Sequence, residues 1–260
     1  MTSAQDGQRR PIRILANARD LIDAISMQGA MTPAEISDAT TIPRPSVYRL
    51  AEGLAAIGLV TIHSDSRIDL NLRWLHLADS AQGGMREWAG SAAILGGISE
   101  STEQTAYLTV PRGGEAVCID WSQGRGIGVL ILKPGGTLPL YAGAAGRVAL
   151  ADYGEADRYL MGAPFEALTP YTLTTKAALS DDIALTKRQG FAHSDQDVTV
   201  GIGALGVPVR RTTDGNMIGC LSIGGPAGEI RDRMTEFVDC LSAAATQLSE
   251  LHAQSGDAAP

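Results

Sequence analysis

Several stretches of this 260-residue chain carry residue types in patterns that could do chemistry. Between Pro43 and Leu50, the run Arg44-Pro45-Ser46-Val47-Tyr48-Arg49 sets two guanidinium groups, a hydroxyl and a phenol close together. Arginine pairs with guanine edges or with phosphate, so such a cluster suits nucleic acid when it lies on one exposed helix face. Gly143-Ala144-Ala145-Gly146 puts small side chains where a helix can open. A ligand can then approach backbone amides whose dipole favours an anion, a carboxylate for example. Close packing of a helix on a sheet is the other use of small residues at such a place.

Other patterns are weaker than they look. Gly201-Ile202-Gly203-Ala204-Leu205-Gly206 fits the dinucleotide-binding fingerprint literally, but that fingerprint needs a helix after it. Val207-Pro208-Val209-Arg210-Arg211 reads as a strand instead, so no nicotinamide or flavin site is expected. His193, Ser194 and Asp195 are the residue types of a hydrolytic triad, yet neighbours in sequence do not converge as base, nucleophile and orienter. No catalytic residue is assigned, and no enzyme is expected. His63, His76, His193 and His252 are scattered away from Cys118, Cys220 and Cys240, so no metal site and no cofactor are expected.

Three separated cysteines do not make a secreted disulfide framework and read as reduced thiols. The first residues lack the basic-then-apolar order of a signal peptide, and no apolar run approaches a membrane span, so a cytoplasmic location is expected. With 44% apolar and 19% charged residues the chain has material for a substantial core. The formal net charge of −8 argues against nucleic acid at first sight, but residues 1–73 hold 8 basic and 8 acidic side chains. The remainder carries 13 basic against 21 acidic. A balanced head can present arginines on one face while an acidic body is repelled from a duplex.

The elements that must position the arginines follow from spacing. Residues 1–10 read as a flexible tail. Ile14, Ala18, Leu21, Ile22 and Ile25 then recur at helical spacing up to Gly29. Thr32-Pro33-Ala34-Glu35 is a capping box that starts a short second helix, ended by Thr40-Thr41-Ile42-Pro43. A third helix from about Pro45 carries Val47, Leu50, Leu54 and Ile57 inward, with Tyr48, Arg49 and Glu52 opposite. Val60–His63 and Arg67–Leu70 form a hairpin, the wing of a winged helix-turn-helix spanning 11–73. Its recognition helix nominates Arg44, Ser46, Tyr48 and Arg49 for DNA contact, with Arg67 on the wing as a phosphate contact. An intradomain salt bridge of Arg49 to Asp20, Asp23 or Glu52 is the alternative use.

A linker helix with a break at Gly83-Gly84 covers 74–88, and 89–252 mixes helices with β-rich runs before a short tail at 253–260. Pro111-Arg112-Gly113-Gly114 marks a hairpin turn, and Met234 to Leu251 an amphipathic helix.

Ile42-Pro43-Arg44-Pro45-Ser46-Val47-Tyr48-Arg49-Leu50, followed by Gly58-Leu59-Val60, resembles the recognition-helix signature of the isocitrate lyase regulator (IclR) family. Leu138 to Leu150, Gly190 to Asp197, Gly201 to Val209 and Ile218 to Pro226 are similar to that family's later blocks, in order. Pro45 stands where the family usually has Ser or Thr, Tyr141 for a frequent His and Arg147 for a frequent Lys. Asn71 stands where the wing commonly exits through Gly, a place where Asn tolerates a left-handed backbone.

The resemblance implies an α+β protein, with the winged helix followed by a GAF/profilin-like effector domain on a curved antiparallel sheet. It also implies a transcriptional regulator with a small-molecule effector, and effector positions matching Ala144, Ala145, Ser194, Ala204, Ser222 and Gly224. Gly146, from the small-residue helix start, and Asp195, beside Ser194, complete the candidate effector set. An organic acid is the expected ligand, and operator DNA the expected partner. One recognition helix reads few base pairs, so a homodimer or homotetramer is expected, paired through the first helix and the Trp74/Trp88 linker. Two rival readings remain open here: a small-molecule enzyme with an accessory winged helix, and a protein-binding scaffold.

Overall fold

The computed structural model describes residues 12–83, 85–125 and 132–256. The tail expected at 1–10, the second glycine of the expected linker break (Gly84) and the end of the C-terminal tail (257–260) lie outside the described residues. The chain divides into two compact units, 1–85 and 86–260.

The first unit is a winged helix-turn-helix. Helix α1 (Arg13–Gln28) ends at Gly29, whose φ of +81° suits glycine. Helix α2 (Pro33–Ala39) starts from the expected capping box: Thr32 accepts from the Glu35 amide, and Glu35 accepts from the Thr32 amide at 2.7 Å. The helix-turn-helix corner is tied by the Thr40 hydroxyl, which donates to Ile36 O and accepts from Ile42 N. Helix α3 (Arg44–Ala56) follows, with Pro in its first turn where no intrahelical hydrogen bond is lost. Strands β1 (Val60–Ile62) and β2 (Ile68–Leu70) pair antiparallel as the wing. Leu21, Ile25, Ile36, Ile42, Val47, Leu54, Val60 and Ile68 close one core.

Ile14 and Ile57, expected inward, are instead 61% and 56% exposed, because α1 begins beyond the reach of that core and Ile57 already caps α3. Asn71 does not adopt a left-handed backbone. Its side chain donates to Thr61 Oγ1 and accepts from the Arg73 amide, capping helix α4 (Arg73–Gly83). Trp74 also belongs to this unit, its indole N–H donating to Leu59 O at 2.7 Å.

The second unit begins with a single 3-10 turn (Arg86–Trp88), so the expected linker helix is shorter than 74–88. Then come α5 (Ser91–Thr102), β3 (Thr105–Arg112), β4 (Glu115–Ser122), β5 (Thr137–Pro139), α6 (Gly143–Asp152), α7 (Ala156–Leu160) and α8 (Lys176–Gln189). Strands β6 (Ala192–Asp195), β7 (Ile202–Arg210) and β8 (Met217–Pro226) lead into α9 (Ala227–Asp232) and α10 (Met234–Gly256). The last helix runs on through residues 253–256, into the stretch that the sequence marks as a tail.

The strands form an antiparallel sheet in the order β5-β4-β3-β8-β7-β6. Bulges at Leu108/Thr109 and Val209/Arg210 add bend and twist. Gly113 and Gly114, both at positive φ, make the two-residue β3–β4 turn. Helix α6 lies on one face of the sheet: a Cβ on Gly206 would sit 3.2 Å from Ala144 C. Helices α5, α9 and α10 pack on the other face, where a Cβ on Gly203 would meet Ala227 and Ile230, and Ser91 donates to Asp120. Trp88 is buried there, edge-on to His252 at 4.9 Å, so it is engaged within this unit.

Candidate functional site

Register decides which side chains meet over the α6 face. Residues opposite one another on antiparallel strands share a face, as do residues two apart on one strand. Ser194 pairs with Ala204, Ala204 with Gly224, and Gly224 with Thr105. One step along lies Ala192–Gly206–Ser222–Tyr107–Trp121. The start of α6 covers these two rows, leaving a cavity of about 80 Å³. Its walls include Ala144 and Ala145 from the helix, and Ser194, Ala204, Ser222 and Gly224 from the sheet. All six are effector candidates from the sequence, brought together from segments 80 residues apart in the chain.

Gly146 and Asp195 are not in that wall. A Cβ on Gly146 would come within 2.4 Å of Pro139 O, so this glycine serves the close approach of α6 to the strand before it. Asp195 follows Ser194 on β6 and therefore faces the other way, where it accepts from Arg231 at 3.1 Å. The alternation that brings Ser194 to the cavity excludes its neighbour. His193 faces away from Ser194 for the same reason. Burial is the main cause that lowers its pKa, and its Nε2 has no partner among the described residues.

Sequence reading missed a buried charged cluster beneath the cavity. Asp197 is 1% exposed. It accepts from the Gly143 amide at 3.2 Å, from Arg147 Nη1 at 3.3 Å and from the Ser194 hydroxyl. Arg147 also pairs through two nitrogens with Asp182 of α8, the Nε contact being 2.8 Å. Burial alone would favour neutral Arg147, but the hydrogen bond and charge of Asp182, then Asp197, hold its pKa above the ordinary value. One guanidinium between two carboxylates leaves no spare cation, and Asp197 already occupies the first amide of α6. An anion in the cavity must therefore be met by the amides of Ala144 and Ala145 and by hydroxyls. Tyr107, Leu138, Val198 and Thr199 are among the other residues of the wall, and sequence reading missed them too. β3 is buried on both faces from Thr105 to Val110, so its sequence shows no alternation that would single Tyr107 out.

On the first unit, Arg44, Tyr48 and Arg49 are exposed along the start of α3, and Ser46 is half-buried. Among the described residues none of their side chains makes an ion pair, so the alternative salt bridge of Arg49 is not formed. Asp20 pairs with Arg19 instead. Ser46 and Arg49 line one side of a cleft whose other side is Arg13, Ile14 and Asn17 of α1. Arg67 differs: its Nη1 donates to Ala30 O at 2.8 Å and lies 3.5 Å from Glu35, which pins the wing to the start of α2. Cys118 and Cys220 are free and buried, their thiols pushed up to about 12 by burial, so the thiolate is scarce at neutral pH. Among the described residues no metal-ligating cluster occurs, and no helix is long and apolar enough to cross a membrane.

Comparison with known proteins agrees with this geometry. Residues 15–62 match the IclR helix-turn-helix domain, and residues 88–250 match the family described as bacterial transcriptional regulator IclR C-terminal. The HTH-type transcriptional regulator BhcR of Paracoccus denitrificans is 27% identical over 92% of this chain and 86% of its own length. The IclR crystal structure from Thermotoga maritima superposes with a TM-score of 0.71 at 23% identity, covering 93% of this chain and 99% of that one. An IclR homologue from Microbacterium hydrocarbonoxydans, crystallised with 4-hydroxybenzoate, gives 0.74 at 19% identity, covering 92% and 98%. With both of its units matched by the family's two domain models, this chain belongs to the IclR family of transcriptional regulators.

Proposed function

We propose that the protein reads operator DNA through the exposed start of α3, and that a small organic acid in the cavity under α6 controls that binding. The reading gives the winged helix to 11–73, a connecting segment to 74–88 and the effector domain to 89–252. Arg44, Ser46, Tyr48 and Arg49 contact bases and phosphates. Arg67 acts by holding the wing, because its guanidinium is already engaged with Ala30 and Glu35. Two copies, or a pair of pairs, engage the two halves of a palindromic site in the cytoplasm. Action by binding rather than by turnover is supported by His193 and Asp195 facing away from Ser194 on their strand.

The observation that carries the effector half is the convergence of Ala144, Ala145, Ser194, Ala204, Ser222 and Gly224 on one cavity. The relative with 4-hydroxybenzoate bound supports an acid as ligand. At about 80 Å³ the cavity is roughly half the 150 Å³ that holds benzene. As folded here it suits an acid of a few carbons, and an aromatic acid requires its walls to move. The acid shifts operator affinity only by the difference in its affinity for DNA-competent and incompetent states, typically 5–150-fold.

The test has two arms. Selection of bound fragments from the organism's own genome yields an operator, and its affinity is titrated at fixed salt with and without acids. Calorimetry over an organic-acid panel then compares wild type with Ala145→Trp, which fills the cavity without touching the head. Loss of acid binding with operator binding intact is expected. Equal acid binding by both proteins places the ligand elsewhere.

A further inference from the structure

Tyr107 and Ser222 face each other across the β3–β8 pair, and both line the cavity. Each residue is only 5% exposed, and neither hydroxyl has a hydrogen-bond partner among the described residues. Among the described residues the side-chain polar atoms fully sealed without a partner are Gln104 Oε1, Thr186 Oγ1 and His193 Nε2, so the two hydroxyls keep some accessible surface, and both residues line the cavity. Buried hydroxyls are ordinarily paired. Two hydroxyls without a partner among the described residues, on register partners that line one cavity, can together receive an oxygen.

Resting on the organic-acid reading above, we propose that Tyr107 is a ligand-contact residue. With Ser222 it selects an acid carrying a hydroxyl or carbonyl oxygen at the end remote from its carboxylate. The start of α6 lies over Gly206, which is the neighbour of Ser222 in the same row. Strands are about 4.8 Å apart, so Ser222 lies one strand spacing and Tyr107 two from the strand under the helix amides. A carboxylate at the Ala144 and Ala145 amides therefore puts the hydroxyl pair over the third or fourth carbon of a straight chain. Both groups can donate or accept, so either a hydroxyl or a carbonyl satisfies them. Burial, then the neighbouring Cys118, raises the phenol pKa, which keeps it a neutral donor. An alkyl end in the same place would leave both hydroxyls dry and unpaired. Sites built to bond a substrate hydroxyl reject the analogue lacking it strongly for this reason.

The test is calorimetry of the full chain with two matched pairs: 3-hydroxypropanoate against propanoate, and 4-hydroxybutanoate against butanoate. Wild type should bind the hydroxy acid of at least one pair about tenfold or more tightly than its partner. Tyr107→Phe keeps the ring and its stack on Trp121, 6.5 Å between centroids, so the fold is retained. It should cut that ratio severalfold by weakening the hydroxy acid, and Ser222→Ala should act in the same direction. Acids that bind wild type with no preference, or a preference that survives Tyr107→Phe, overturn this assignment and leave the organic-acid reading standing. Failure of all four acids to bind wild type overturns the organic-acid reading for a cavity this small, and the assignment with it.

Discussion

In the head, Arg44 and Arg49 stand exposed on α3 with no acidic partner among the described residues, whereas in the body Arg147 is buried between Asp182 and Asp197. An exposed, unpaired guanidinium has no desolvation cost to recover and is available to an external polyanion. A buried guanidinium must be neutralised where it sits, and its worth then lies in not leaving carboxylates uncompensated. The same residue type thus stands exposed on the surface of one unit and serves as an internal strut in the other. The head should bind with a steep salt dependence, since each phosphate contact releases counterions. Acid binding in the body, which relies on amide dipoles and hydroxyls behind low-dielectric walls, should respond far less to salt.

The largest effect expected from breaking this contrast is at Arg147. Arg147→Ala strands two buried carboxylates, one of them the partner of the Gly143 amide and the Ser194 hydroxyl. Removing one side of such a cluster typically costs about 3–5 kcal/mol, enough to unfold a marginal domain. Chemical denaturation should show the loss, and Arg147→Lys should recover part of it without the two-nitrogen pairing to Asp182. A change below about 1 kcal/mol in Arg147→Ala would mean that the cluster is not the strut described.

Next in size is Arg49→Ala, expected to weaken operator binding by about 1–3 kcal/mol. Loss of sequence preference marks a base contact, and a salt slope reduced by about one marks a phosphate contact. Unchanged affinity and slope in the folded variant would show that the reading face lies elsewhere. Acid binding should not move with this substitution.

How much of this was visible beforehand differs between the two units. The helices, the capping box at Thr32, the wing and the effector segments were legible, because local periodicity and turn chemistry act within a few residues. What escaped depends on distance along the chain or on register. Asp182 lies 35 residues from Arg147 and Asp197 lies 50, so no local pattern links them. Asp195 was grouped with Ser194 by proximity, although strand alternation sends them to opposite faces. Asn71 occupies a position where a left-handed residue is common, and it caps a helix through its side chain instead. Six effector candidates converged on the cavity wall because a family pattern already encodes the register that a lone sequence hides.

The smallest expected effect concerns the exception in the head. Arg67 is an arginine used internally on the DNA-binding unit, held by Ala30 O and beside Glu35, whose carboxylate also closes the capping box with Thr32. Hydrogen bonds from Thr32, then the charge of Arg67, hold the Glu35 pKa below its ordinary value of 4.5. A carboxylate depressed in the folded state stabilises the fold above its unfolded pKa, and that contribution is lost as pH falls through the folded value. The head should therefore lose stability on the acid side of about pH 4.5, and Glu35→Gln should flatten that loss. Thr32→Ala removes the cap itself and should cost about 1 kcal/mol at neutral pH. If Arg67 only braces the wing against this corner, Arg67→Ala should lower DNA affinity less than Arg49→Ala and leave the salt slope where it was. A slope reduced by about one in Arg67→Ala would instead count Arg67 among the phosphate contacts, with its hold on Ala30 released when the duplex arrives.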